Sequence, residues 1–244
     1  YKKMIELGYE SDFSIKLIQN GWETITEELK HNGIKGMMNR LDDSSRYVAH
    51  KLSDELKKII SGSIYGPQNS YKLIKEEVTQ GDTISSMGIK FEIIEVPGHT
   101  LDHIAFYNEE NNILFCGDTL FAGGCGRVFE GTFDQMFESL NKLKQLPDST
   151  QIYCGHEYTK SNLLFSMKVE PENNDLIMRN TEIDNLVMTN GSSLPSSIEL
   201  EKKTNPFLRC DLLGDNIQLM EKFGLDTPSE NEIFKHIREW KDST

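Results

Sequence analysis

Residues 113 to 118 read ILFCGD: four apolar, strand-forming residues, then a glycine, then an acid. The same order recurs on either side. IIEVPGH (93 to 99) ends at Gly98 and His99, and IYCGH (152 to 156) ends at Gly155 and His156. Taken singly, each reads equally well as a ligand or as an ordinary core histidine or turn-capping aspartate. Three together predict neighbouring strands whose C-terminal edges converge on one site, as ligand sites of α/β proteins commonly do. Glycine before each polar residue allows a sharp turn and a close backbone approach. Imidazole and carboxylate together suit zinc, iron or manganese.

The surrounding texture agrees with a sheet. TISSMGIKFEIIEVPG (83 to 98), HIAFYNEENNILFCGD (103 to 118) and QIYCGH (151 to 156) read as strands. Between the last two, Met136, Phe137, Leu140, Leu143 and Leu146 share one helical face, so a helix returns the chain to the sheet. After about residue 160 the strand signal stops. SNLLFSMKVE, DLIMRNTEIDNLVM and SENEIFKHIREWKD predict helices, with NGSSLPSSIE (190 to 199) as a loop or hinge. Near the start, WETITEELKHN (22 to 32) places Trp22, Ile25 and Leu29 at helical spacing before Gly33. A second helix is expected from about Leu52 to Ile60, leading into the strand-like SIYGP. The chain therefore divides into an α/β domain, residues 1 to 160, and a smaller helical domain, residues 161 to 244.

Bulk properties limit the function. Of 244 residues, 37% are apolar and 27% charged, the balance of a soluble globular protein. Net charge of −13 argues against nucleic acid, because phosphate-backbone binding needs clustered Lys and Arg. An anionic small substrate would need a local basic pocket. No run approaches the roughly 18 apolar residues of a membrane span. The expected compartment is the cytoplasm, with the mitochondrion left open. Cys116, Cys125, Cys154 and Cys210 form no C-x-x-C pair and read as reduced, unreactive thiols. His103, four residues after His99, is placed to be a further ligand, but it begins the next strand and reads rather as a supporting or packing residue; His31 and His236 read as surface residues of helices.

VPGHTLDHIAFY (96 to 107), LFCGDTLFAGGCGRVFEGT (114 to 132), YCGHEYTKSNLLFSMKVEP (153 to 171) and TNPFLR (204 to 209) closely resemble glyoxalase II, the hydroxyacylglutathione hydrolases of the metallo-β-lactamase fold. The resemblance runs over about residues 62 to 210. It implies an αββα sandwich followed by a small C-terminal helical domain, and a pair of metal ions that hydrolyses the thioester of S-lactoylglutathione. It also implies that Asp118 is the bridging, catalytic carboxylate, that His99 serves one metal, and that His156 with His50 serves the other. Arg127, Phe129, Tyr158 and Arg209 would contact the glutathione moiety, Phe129 standing where the family often has tyrosine.

The resemblance breaks in SSRYVAH, residues 44 to 50. The family's T-H-x-H-x-D-H motif belongs there, and this sequence has Ser45, Tyr47 and Ala49 in place of His, His and Asp; only His50 matches. Upstream, LIQNGWETI has Gln19, Asn20 and Gly21 where the family has an Asp-Pro-Gly turn. One metal would keep only His99 and Asp118, fewer than the three protein ligands of a typical catalytic zinc site. The other would keep His50, Asp118 and His156. The expectation is one zinc, iron or manganese ion at most, and one of two outcomes: weak or lost thioester hydrolysis, or a catalytically silent relative that binds glutathione conjugates or a protein partner. A one-iron persulfide dioxygenase is disfavoured because its iron set includes the position of Ser45, and a nuclease relative by the acidic charge. Oligomeric state and acyl group are not readable from the sequence.

Overall fold

The computed structural model describes residues 65–68, 74, 76–86 and 89–244. The two early helices, the LIQNGWETI turn, and Ser45, Tyr47, Ala49 and His50 lie outside the described residues.

A six-stranded sheet forms the centre, in the order β10-β9-β6-β5-β4-β3. Its strands are β3 (Thr83–Ser86), β4 (Ile89–Glu95), β5 (Ile104–Asn108), β6 (Ile113–Gly117), β9 (Gln151–Cys154) and β10 (Ser196–Ser197). Short pairs lie beside it in the chain: β1 (Tyr65–Pro67) with β2 (Glu76–Val78), parallel, and β7 (Leu120–Phe121) with β8 (Gly124–Cys125), antiparallel.

Strand direction places the site. β5 is antiparallel to both β4 and β6, so β4 and β6 run the same way. β9 is parallel to β6, and parallel neighbours need a crossover, here supplied by α1 (Phe133–Lys144). β4, β6 and β9 therefore leave the sheet at one edge, and the residues that follow them are the three singled out above.

α1 forms where periodicity predicts it. Thr132 and Gln135 make a reciprocal capping box at its start, Asp134 lies in the first turn, and Lys142 and Lys144 in the last. Its buried face, Met136, Leu140 and Leu143, shares one hydrophobic cluster with Val96, Leu114 and Ile152 of the sheet region. The expected later helices are present as α2 (Thr159–Val169), α3 (Asn174–Asn190) and α7 (Glu230–Asp242), with α4 (Ile198–Thr204), α5 (Cys210–Leu213) and α6 (Ile217–Phe223) between them. Phe207, Phe234 and Ile237 belong to the same cluster as the sheet residues, so the core continues across residue 160.

One local expectation differs. Within NGSSLPSSIE, Ser196 and Ser197 pair antiparallel with Ile152 and Gln151 and add an edge strand. A two-residue strand has no periodicity of its own; it is held by its neighbour. Among the described residues no helix is long and apolar enough to cross a membrane.

Candidate metal centre

Asp118 leaves β6 through Gly117, whose φ of +51° lies in the left-handed region that favours glycine. Gly155 donates its N–H to the Gly117 carbonyl at 2.8 Å, tying the ends of β6 and β9 together. Across this junction the two imidazoles meet one oxygen. His99 Nε2 lies 3.3 Å and His156 Nε2 3.6 Å from Asp118 Oδ2. The three residues are brought together as the strand endings predict.

The two histidines are held differently. His99 Nδ1 is 2.9 Å from the Arg127 carbonyl, an acceptor, so this nitrogen carries a proton, and Nε2 faces Asp118. The His99 carbonyl accepts the N–H groups of Phe129 and Glu130, and the Leu101 N–H donates to Glu130, so the two loops are laced together. The Phe129 ring covers His99, with centroids 4.9 Å apart. His156 is more open. It stacks on Tyr158 at 5.1 Å, and both rings meet Phe121 at an edge.

Burial alone would raise the Asp118 carboxyl, but the hydrogen bond and charge of His156, with the charges of His99 and His103, outweigh it and hold the group below its ordinary value. The same hydrogen bond raises His156 against its partial burial. Burial is also the main reason that His103 falls below the usual imidazole value. His103 Nε2 accepts the Asp118 N–H at 3.0 Å, so the lone pair of that nitrogen is engaged.

Two imidazoles and a carboxylate are donor types that suit zinc or iron, and the carbonyl behind His99 is the kind of support that metal-bound imidazoles carry. Among the described residues no group of three or more His, Cys, Asp or Glu is arranged to hold a metal ion; both imidazoles are turned onto the Asp118 carboxylate instead. In residue type, though not as a closed ligand group, His99, Asp118 and His156 match what a zinc or iron site uses.

The residues read as substrate contacts separate into two groups. Arg127, Phe129 and Tyr158 are exposed around the centre. Burial and the Asp118 charge raise the Tyr158 phenol against the opposing Arg127 charge, so that it stays a neutral donor. Arg209 is engaged elsewhere: Nε and Nη2 hold the Glu170 carboxylate at 3.0 to 3.1 Å, and Nη1 donates to the Lys202 carbonyl. Lys241 was not singled out by the sequence. Its ammonium donates to Asn162 Oδ1 and shares an electrostatic environment with Arg127, Arg238 and Asp242. The signal available was an Arg-x-x-Lys spacing on a terminal helix, too common to stand out.

The cysteines are packing residues. Cys116, Cys125 and Cys210 are buried, which pushes their thiols up, and Cys154 is raised to about 11, chiefly by burial. His236 is part-buried and stacked on Phe223 at 5.3 Å.

The metallo-beta-lactamase superfamily model matches residues 24–156, and the model of the hydroxyacylglutathione hydrolase C-terminus matches residues 157–244. Sheet order, strand exits and this match define a protein of the metallo-β-lactamase fold. A hydroxyacylglutathione hydrolase of Ectopseudomonas mendocina is 46% identical over 191 residues, 78% of this chain and 74% of that protein. One from Nitrosomonas eutropha is 44% identical over 184 residues, 74% of this chain and 71% of that protein. Among solved structures, ETHE1 from Myxococcus xanthus aligns with 80% of each chain at 23% identity and a TM-score of 0.49. The chain belongs to the hydroxyacylglutathione hydrolase, or glyoxalase II, family.

Proposed function

We propose that this chain is a thioester hydrolase by descent whose metal centre holds one ion at most, and that its turnover of S-lactoylglutathione is weak or lost. The observation that carries the reading is the convergence of His99 and His156 on Asp118, set against a sequence with Ser45, Tyr47 and Ala49 where the resemblance puts three more ligands. His50, Asp118 and His156 would hold the remaining ion, zinc, iron or manganese. Such an ion, when bound, makes a water nucleophilic at neutral pH and polarises a carbonyl.

The chain's own residues supply the rest. Asp118 is held as a carboxylate by its histidine neighbours and orients them. Phe129 and Tyr158 flank the imidazoles as apolar and aromatic walls. Arg127, 56% exposed, offers a guanidinium to a substrate carboxylate, with Lys241 nearby; this local positive charge serves an anionic thiol conjugate despite the net charge of −13. Arg209, engaged with Glu170, is better explained as a brace between α2 and the segment after α4 than as a substrate contact. In the same reading, residues 1 to 160 carry the metal and residues 161 to 244 complete the substrate side, and the chain works in an aqueous compartment without nucleic acid.

A second reading has support from the same contrast. Exposed Arg127 and Tyr158 are retained while three ligand positions are lost, which suits a silent relative that binds glutathione conjugates.

Metal content per chain, measured with S-lactoylglutathione hydrolysis before and after chelation, tests both. The expectation is one ion or less and turnover far below that of an intact relative. Two ions per chain with chelator-sensitive turnover overturns the loss of ligands. Ser45→His, Tyr47→His and Ala49→Asp together should raise both metal uptake and turnover.

A further inference from the structure

His103 is tied to two strand exits at once. Its carbonyl accepts the Val96 N–H at 2.8 Å, three residues before His99, on the way out of β4. Its side chain reaches the exit of β6, where Nε2 accepts the Asp118 N–H at 3.0 Å. The ring is pressed against the turn: a Cβ on Gly117 would lie 2.7 Å from Nε2 and 2.8 Å from Cε1. The imidazole therefore needs a residue without a Cβ at position 117, as the left-handed turn there does for its own reason. An N–H in this part-buried turn would lose its acceptor without the ring, a cost comparable to a lost hydrogen bond.

Occupation of the Nε2 lone pair by an N–H donor excludes that nitrogen from binding an ion at the same time. His103 also stands edge-on to His99, with ring centroids 5.9 Å apart. We infer that His103 is a positioning residue, fixing the peptide plane of Asp118 so that its carboxylate meets His99 and His156. The inference rests on reading His99, Asp118 and His156 as the metal-binding group, but its structural half does not.

Two substitutions in the full chain separate the roles. His103→Gln keeps an uncharged acceptor at similar reach; His103→Leu keeps bulk and removes the acceptor. Zinc alone is titrated against each protein, and hydrogen exchange of the Asp118 amide is followed by NMR without metal. His103→Leu should bind zinc roughly ten- to a hundredfold more weakly, the usual effect of losing a support behind a metal ligand. It should also exchange the Asp118 amide faster, while His103→Gln recovers most of both. Zinc binding by His103→Leu within about twofold of the parent, or unchanged Asp118 exchange, overturns the inference. If the parent takes up no zinc, the metal reading fails and the exchange measurement still decides the positioning role. If His103→Leu does not fold, His103→Asn, too short to reach the amide, takes its place against His103→Gln.

Discussion

Gly155 stands directly against Asp118: a Cβ at position 155 would overlap the carboxylate Oδ1 and come within 3.4 Å of Cγ. The glycine that ends the third strand run therefore serves a neighbour on another strand. Its N–H holds the end of β6, and its bare Cα leaves room for the carboxylate that both histidines address.

Gly155→Ala should consequently disturb the site more than the fold. The added methyl displaces the Asp118 side chain from the two imidazoles, and zinc affinity should drop roughly tenfold or more while circular dichroism stays unchanged. Calorimetric zinc titration checks this; affinity equal to the parent's would show that the carboxylate does not hold the ion.

Glu201 predicts a stability effect remote from the centre. It is fully buried, pairs with Arg179 at 2.7 Å, and accepts the Gly123 N–H at 2.8 Å and an Asn205 amide hydrogen at 2.9 Å. Arg179 also donates to Thr204 and Ser196, so one charge pair joins α3, α4 and the loop between β7 and β8. Glu201→Ala leaves a buried guanidinium without its counter-charge and should cost about 3 to 5 kcal/mol. Urea unfolding measures it, and a loss below about 1 kcal/mol would mean that water replaces the carboxylate.

The sequence made the sheet edge readable because each exit carries glycine followed by a metal-type residue, and strand direction does the rest. Helix α1 was readable from apolar spacing and α7 as a helix-forming stretch, and each proves to have a capping box, Thr132 with Gln135 and Ser229 with Glu232. Other features depend on contacts far apart in the chain. Arg209 meets Glu170 across 39 residues, a pairing that no local pattern announces. β10 exists only because β9 lies beside it. The place of His103 at the start of a strand was readable, but the N–H that it accepts lies 15 residues onward. SSRYVAH remains a sequence argument, since its residues lie outside those described.

Arg127 supplies a prediction about binding. Its guanidinium is exposed, lies 3.6 Å from Asp242, and contributes to the electrostatics of Tyr158 and Lys241. Arg127→Met should weaken binding of S-substituted glutathione about five- to tenfold, modest because the pair would be solvent-screened. Where turnover is measurable, the change should fall on KM with kcat retained, the mark of an interaction equally strong in the ground and transition states. Calorimetry with S-hexylglutathione reads it directly, and unchanged affinity removes Arg127 from the binding surface.

Lys241 predicts how stability varies with pH. Its ammonium is pressed among Phe165, Phe207 and Asn162, and its pKa falls from 10.5 to about 8. Burial is the chief cause; the Arg238 and Arg127 charges add to it, while Cys125 and Asp242 oppose it. Below about pH 8 both folded and unfolded chains carry the proton, and the folded state bears the cost of the buried cation. Between about 8 and 10.5 the unfolded chain binds more protons than the folded one, so stability rises with pH; above 10.5 the difference is constant. The gain is on the order of 3 kcal/mol at most. Lys241→Met lacks this group, so its stability relative to the parent should decline between pH 7 and pH 10. Parallel urea titrations of the two proteins at both pH values test the sign, and a constant difference would mean that Lys241 keeps an ordinary pKa in the folded chain.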